Sequence, residues 1–306
     1  MANYTNEFRA ILLQNPFTEH SPTLFRSFPI EPVPGKAWIY TGVRRSGKTT
    51  AFRQVRKYWL GEGVPESAIA YVDFTDERLI GLPAKSLGDL LTVFDEQVGT
   101  SSRRSVLLLD EIHEIEGWEK FVHRVLAQPG RQVYITGSSA RLLGREIATQ
   151  MRGRSLRHEF FPFSFRERLE FAKIETTGRQ ESAHVRALFR SFLTEGGFPE
   201  ATGLSDTLKR KLLREYFDLL LLRDVIERNR ATNIPALKFL FARLLGHPAS
   251  AYTINKLFEQ MKSLGYRLDK SSITEWIGWF EDCYALYTVP LLTPSIAKQN
   301  TNPKKI

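Results

Sequence analysis

The sequence predicts an α/β fold built on a parallel sheet and followed by a mostly helical region. Three observations carry that prediction. Between residue 37 and about residue 162, short apolar runs alternate with amphipathic stretches, the pattern of strands whose two faces are covered by helices. The stretch TGVRRSGKTT (41–50) joins an apolar run to an amphipathic one through two glycines. A later apolar run, SVLLLD (105–110), ends in an acid.

The elements follow in order. AWIYT (37–41) reads as a short buried strand, and KTTAFRQVRKYWL leaves the glycine stretch as a helix with Phe52, Val55 and Trp59 on one face. IAYVDF (69–74), SVLLLD (105–110) and RQVYIT (131–136) are the next strands, with SLGDLLTVFDEQV and GWEKFVHRVLAQ as intervening helices. From 169 to 229 the chain reads as helices interrupted by EGGFPE (195–200), whose paired glycines and proline mark a turn. After a break at ATNIPA, three helices (ALKFLFARLLG, TINKLFEQMKSLG, SSITEWIGWFEDCYAL) and the extended YTVPLL suggest a winged helix-turn-helix. The expected divisions are an N-terminal extension (1–36), the α/β core (37–165), a helical lid (166–234) and a winged-helix-like domain (235–306).

The pattern G-x-x-x-x-G-K-[ST] is met by Gly42, Gly47, Lys48 and Thr49, with Val43, Arg44, Arg45 and Ser46 between the glycines and Thr50 after them. Such a loop wraps backbone N–H groups round phosphate oxygens at the positive end of a helix. Lys48 is expected to reach the β- and γ-phosphates, and Thr49 to ligate Mg²⁺ through its hydroxyl. Asp110 is expected to hold the Mg²⁺ shell, and Glu111 to orient an attacking water. Without the glycine loop, Asp110 and Glu111 would read as an exposed acidic pair capping a helix. Arg44 and Arg45 either strengthen anion binding or pair with nearby acids. Asp73, Asp76 and Glu77 read as a solvated loop.

Past the next strand, Ser138 and Ser139 either cap a helix or sense the γ-phosphate. Arg152 and Arg154, at a helix end and followed by Arg157, either favour the helix dipole or supply an arginine finger within the chain or from a neighbouring copy. Arg223, beside Asp224 in a helix, either forms a local ion pair or reaches back to the nucleotide. The N-K-x-D element of guanine recognition is missing, since Asn255 and Lys256 lie in a predicted helix without the Asp, so ATP is the expected nucleotide.

Composition excludes several classes. The 306 residues, 42% of them hydrophobic, supply real cores, and no apolar run approaches the ~20 residues a bilayer needs. Cys283 is the only cysteine, which rules out intramolecular disulfides and suits a reducing, cytoplasmic setting. His113 has no second histidine at metalloprotease spacing. A net charge of +9 favours polyanionic partners, DNA among them. The expected recognition helix nevertheless carries Glu275, Glu281 and Asp282 and no lysine or arginine, while Ile273, Ile277, Phe280 and Tyr284 share a core-like face. Lys256, Lys262, Arg267 and Lys270 are the better candidates for DNA; a protein or subunit contact, including self-association through Arg152 and Arg154, is the other expectation.

Taken in order, GVRRSGKTT, YVDFTDERL, LLLDEIHEIEGWEKFVHRVL, ITGSSARLLGREIATQMRGRS, FPFSFRE, GGFPE and LLLRDVIERN resemble a family of prokaryotic AAA-type P-loop ATPases. The resemblance implies an additional-strand catalytic-glutamate sheet, a helical lid and a winged-helix module. It matches Lys48 and Thr49 to nucleotide and Mg²⁺ binding, and Asp110 and Glu111 to the Walker B pair. Family members usually continue into a C-terminal domain of unknown function that looks like a restriction endonuclease, whereas this sequence stops at Ile306. Either a truncated or naturally shortened form or the lack of any nuclease-like output is expected, and with it no nuclease activity. Two functions follow: an ATPase whose cycle moves the lid and winged helix on DNA or a protein, or a nucleotide-gated switch with little turnover.

Overall fold

The computed structural model describes residues 4–14, 17, 24–99, 103–137, 151, 153–174, 179–301 and 303–306. They form two compact units, Met1–Gly203 and Leu204–Ile306.

The first unit is an α/β layer structure. Its strands are β1 (Ala37–Gly42), β2 (Ile69–Asp73), β3 (Ser105–Asp110), β4 (Arg131–Gly137) and β5 (Ser155–Phe160). They lie in the order β2-β3-β4-β1-β5 and every pairing is parallel. β4 thus stands between the strand that feeds the glycine loop and the strand that ends in Asp110, as expected of an additional-strand sheet. All six residues of β3 are buried, which explains its unbroken apolar run: a parallel strand covered on both faces has no solvent side to make polar.

Helices α1 (Thr5–Leu12), α2 (Lys48–Gly61), α3 (Leu87–Val98) and α4 (Trp118–Leu126) accompany these strands, and α5 (Phe165–Phe171) and α6 (Arg179–Glu195) follow them. Phe52, Val55 and Trp59 are buried on one face of α2, and α1 contributes Phe8 and Ile11 to the same core. Trp59 donates its indole N–H to the Tyr134 hydroxyl on β4 (3.0 Å), so the burial of two large aromatics leaves neither polar tip stranded. In the EGGFPE turn, a Cβ on Gly197 would lie 2.0 Å from the Phe163 carbonyl oxygen, and the Gly197 carbonyl accepts the Phe163 N–H at 2.7 Å. The second glycine of the pair is there for close backbone approach.

The sheet also holds a strand that the sequence reading did not contain: Ser155–Phe160 is an edge strand, and Arg157 belongs to it. Its charged residues SLRHEF hide the strand, because an edge keeps one side in solvent. His158 lies on its inner side near Phe28, Tyr40 and Phe160. Burial, followed by the charge of Arg26, holds the His158 imidazole below its ordinary value. The folded state therefore favours the neutral ring, and this contribution is complete above the ordinary value and lost as pH falls below it. His158→Gln should flatten the fall in thermal midpoint below about pH 6.5, by roughly 2 °C, in melts of both chains between neutral and mildly acidic pH. Parallel midpoint curves for the two chains would contradict it.

The second unit opens with α7 (Asp206–Leu219), which runs into a π-helix, Leu220–Glu227. α7 buries no residue, whereas the π segment buries Leu221, Asp224, Val225 and Ile226. Then come α8 (Ile234–Leu245), β6 (Ala251–Tyr252), α9 (Ile254–Ser263), α10 (Lys270–Asp282), α11 (Ile296–Thr301) and β7 (Lys304–Lys305). β6 pairs antiparallel with β7, and Val289 in the extended stretch bridges Lys305. The Thr253 hydroxyl accepts the Lys256 N–H (3.2 Å) and starts α9. Ile273, Ile277 and Phe280 are core residues as expected, packed with Leu240, Phe241 and Met261. Tyr284 is not on their face, because α10 ends at Asp282 and Tyr284 has a φ of 62°, outside helical geometry. Cys283 is buried, and that burial pushes its thiol up to about 12, which makes it inert at neutral pH.

Candidate functional site

The glycine loop leaves the C-terminal end of β1, which lies between β4 and the edge strand β5. Gly42 has a φ of 143°, and a Cβ there would lie 2.0 Å from the Phe160 carbonyl oxygen on β5, so only glycine lets the two chains meet. Val43, Arg44, Arg45 and Ser46 form the bend, with the Ser46 N–H donating to the Val43 carbonyl (3.3 Å). Gly47 precedes the first helical residue, Lys48, and the exposed Thr49 and Thr50 continue the first turn of α2. Lys48 is buried, and its ammonium donates to the carbonyls of Gly42 and Val43, each at 2.9 Å. The Ser46 hydroxyl is buried without a hydrogen-bond partner among the described residues. A buried cation and an orphaned hydroxyl in one loop are groups that a phosphate would satisfy.

One strand further, on β3, Asp110 is 2% exposed. Its Oδ2 accepts hydroxyls from Thr49 (2.8 Å) and Tyr71 (2.9 Å), and its Oδ1 accepts the Thr136 hydroxyl. Burial raises the Asp110 carboxyl above its ordinary value, against the lowering effect of the Thr136 and Thr49 hydrogen bonds. Burial and the neighbouring Asp110 likewise push the Tyr71 hydroxyl well above the usual phenol range. A hydroxyl and a carboxylate oxygen side by side are hard donors of the kind Mg²⁺ takes, so Thr49 and Asp110 fit that ion. Among the described residues no group of three or more histidines, cysteines or acids could hold a metal by itself.

Glu111 turns out of the strand with a φ of 52°, a conformation that costs a non-glycine residue about 1–3 kcal/mol and is common where function demands it. Its N–H donates to the Thr136 hydroxyl (3.1 Å), and its Oε2 lies 3.2 Å from the His113 Nδ1. Thr136 therefore links β3 and β4 by serving both Asp110 and Glu111.

Of the other expected residues, Arg45 pairs with Glu200 of the EGGFPE turn at 2.6 Å, which ties that motif to the loop. Arg44 is half-buried. Ser138 and Arg152 lie outside the described residues. Arg154 is exposed in the turn before β5, with its N–H on the Met151 carbonyl (2.7 Å) and its carbonyl accepting the Ala37 N–H (2.9 Å). Arg157 donates to the Thr41 hydroxyl (3.1 Å) and pairs with Glu159 along its own strand. Arg223 is exposed on the π-helix of the second unit. Sequence reasoning missed Tyr71 and Thr136. The available signal was a hydroxyl near the end of each strand flanking β3.

The strand order and the glycine loop are those of a P-loop α/β fold. Residues 35–169 match the family described as "AAA domain", and residues 186–306 match "Domain of unknown function (DUF8612)". The chain is 32% identical over 286 residues to an uncharacterized protein of Methanocaldococcus jannaschii, covering 92% of this chain and 62% of that protein. It is 27% identical over 249 residues to one of Haemophilus influenzae, covering 81% of this chain and 61% of the other. The chain thus spans 62% and 61% of the length of these two relatives. Among solved structures it is similar to the Aeropyrum pernix ORC2 protein in ADPNP–ADP complexes, at 14% identity and a TM-score of 0.46, over 90% of this chain and 84% of that one. Among the described residues no helix is long and apolar enough to cross a membrane.

Proposed function

We propose that the chain binds ATP at Gly42–Thr50 and hydrolyses it. One observation carries this reading: Asp110 bonds the loop's Thr49 while Glu111, its neighbour in the chain, is held by Thr136, so a cation site and a water-orienting carboxylate adjoin the phosphate loop. In this reading Lys48 and the loop N–H groups bind the phosphates, Thr49 and Asp110 hold Mg²⁺, and Glu111 takes the proton of the attacking water. Bound Mg²⁺ supplies positive charge to the phosphate oxygens. Ser138 reads the γ-phosphate, and Arg152 or Arg154 serves as the arginine finger, within the chain or from a second copy.

The nucleotide cycle moves a lid (166–234) and a winged-helix module (235–306) that acts on DNA or a protein partner. Lys262 and Lys270 bring their ammonium groups within 5.9 and 5.4 Å of the Phe258 ring centre, a basic convergence that supports the DNA choice. The test is steady-state ATP hydrolysis and ATP affinity with Mg²⁺, with and without duplex DNA. Turnover that DNA accelerates supports the full reading, and turnover that DNA leaves unchanged supports a protein partner. Tight ATP binding without turnover would replace the cycling enzyme by a nucleotide-gated switch, and no binding would overturn the proposal.

A further inference from the structure

Arg26 lies in the extended segment ahead of β1, outside every motif that defines the site, yet it reaches the phosphate loop. Its Nη1 donates to the Ser46 carbonyl at 2.9 Å. Its Nε and Nη2 donate to the two carboxylate oxygens of Glu167 at 2.5 and 3.3 Å, a fork that only a guanidinium can make. The side chains of Arg26 and Glu167 are 13% and 20% exposed, and the guanidinium lies 5.2 Å from the Phe160 ring centre and 5.6 Å from that of Phe163.

Both ends of this contact are themselves fixed. The Arg26 N–H donates to the Gln54 amide oxygen (3.1 Å), and the Gln54 amide returns a bond to the Arg26 carbonyl (3.0 Å), which docks the segment on α2. Glu167 also accepts the Ser164 N–H (2.8 Å) and Ser164 hydroxyl (2.9 Å) at the start of α5.

The Ser46 carbonyl and the Gly47 N–H share one planar trans peptide and so point in opposite directions. A guanidinium that holds the carbonyl on the outer side of the loop aims the Gly47 N–H inward, where an anion would be met. We infer that Arg26, oriented by Glu167, is a positioning residue for phosphate binding: it fixes the Ser46–Gly47 peptide so that the loop presents its donors before nucleotide arrives. This rests on the proposed ATP site, which Lys48→Ala tests separately.

The experiment is calorimetric titration of ATP and ADP, with Mg²⁺, into the full chain and its R26M, R26K and K48A variants, with nucleotide-free melts to check folding. R26M is expected to weaken both nucleotides by about 10- to 100-fold, the range of one charge-assisted hydrogen bond, and to raise KM with kcat at saturation little changed. R26K keeps the charge and loses the fork, so it should also bind more weakly than wild type; if R26M does not fold, R26K decides. Millimolar guanidinium should restore part of the affinity of R26M, which a general loss of stability would not allow. Wild-type affinity in R26M or R26K would overturn the inference while leaving the ATP site intact. A wild-type chain that binds no ATP, with K48A no different, would remove the site and the inference together.

Discussion

Glu111→Gln is expected to bind ATP as the wild-type chain does and to turn it over about 10²- to 10⁴-fold more slowly, the usual worth of a general base. The change replaces one carboxylate oxygen by an amide of the same shape. The tie to β4 runs from the backbone N–H of Glu111 to Thr136 and survives the substitution, so the site stays assembled. Lys48, Thr49 and Asp110 remain as they are, and with them the groups proposed to bind the phosphates and Mg²⁺. Lost is the acceptor that can take a proton from water. Single-turnover hydrolysis beside nucleotide titration separates the two effects. Wild-type turnover in the variant would remove Glu111 from the chemistry; loss of binding would give it a structural role instead.

Asp110→Asn should shift stability and ligand binding in opposite directions. Its carboxyl is held above the ordinary range chiefly by burial, so the folded chain favours the protonated form. The penalty is absent below the ordinary carboxylate value of about 4 and grows as pH rises through the range between that value and the raised one. At neutral pH, without Mg²⁺ or nucleotide, the neutral amide escapes it, and the thermal midpoint should rise by about 3–6 °C. The gain should vanish near pH 4. Adding Mg²⁺ and ATP should reverse the ranking: the variant lacks the proposed metal ligand, so Mg²⁺ should no longer strengthen its ATP binding. Better stability with poorer binding is the signature of a group kept for its function. A variant that melts lower at neutral pH would show that the three hydroxyls on Asp110 already offset its burial.

The glycine loop between strand and helix and the place of Asp110 were legible in the sequence because each depends on neighbours in the chain: glycines at a fixed spacing before a helix, an acid at the end of an apolar run. The central strands were legible for a related reason, since burial on both faces leaves a run with no polar alternation. β5 was not, because its charged residues belong to an edge. Tyr71 and Thr136 escaped notice because they meet Asp110 only after three strands are laid side by side. Arg26 is a stronger case: its partners Ser46 and Glu167 lie 20 and 141 residues further along the chain, and nothing local to LFRSF announces either. The π-helix was equally hidden, since LLLRDVIE has the composition of an ordinary helix.

That π-helix gives the second unit a point of tolerance to changes of length. A helix closed on i→i+5 bonds carries more residues than the α path between the same ends. Losing one residue from Leu220–Glu227 can therefore be absorbed by a return toward α geometry, with the flanking turns left in phase. The same loss within α8 would rotate every later side chain by about 100° and take Leu240, Phe241 and Leu244 out of the core. Insertions and deletions accepted by this unit's helices should accordingly gather at the wide turn, where the chain already holds slack.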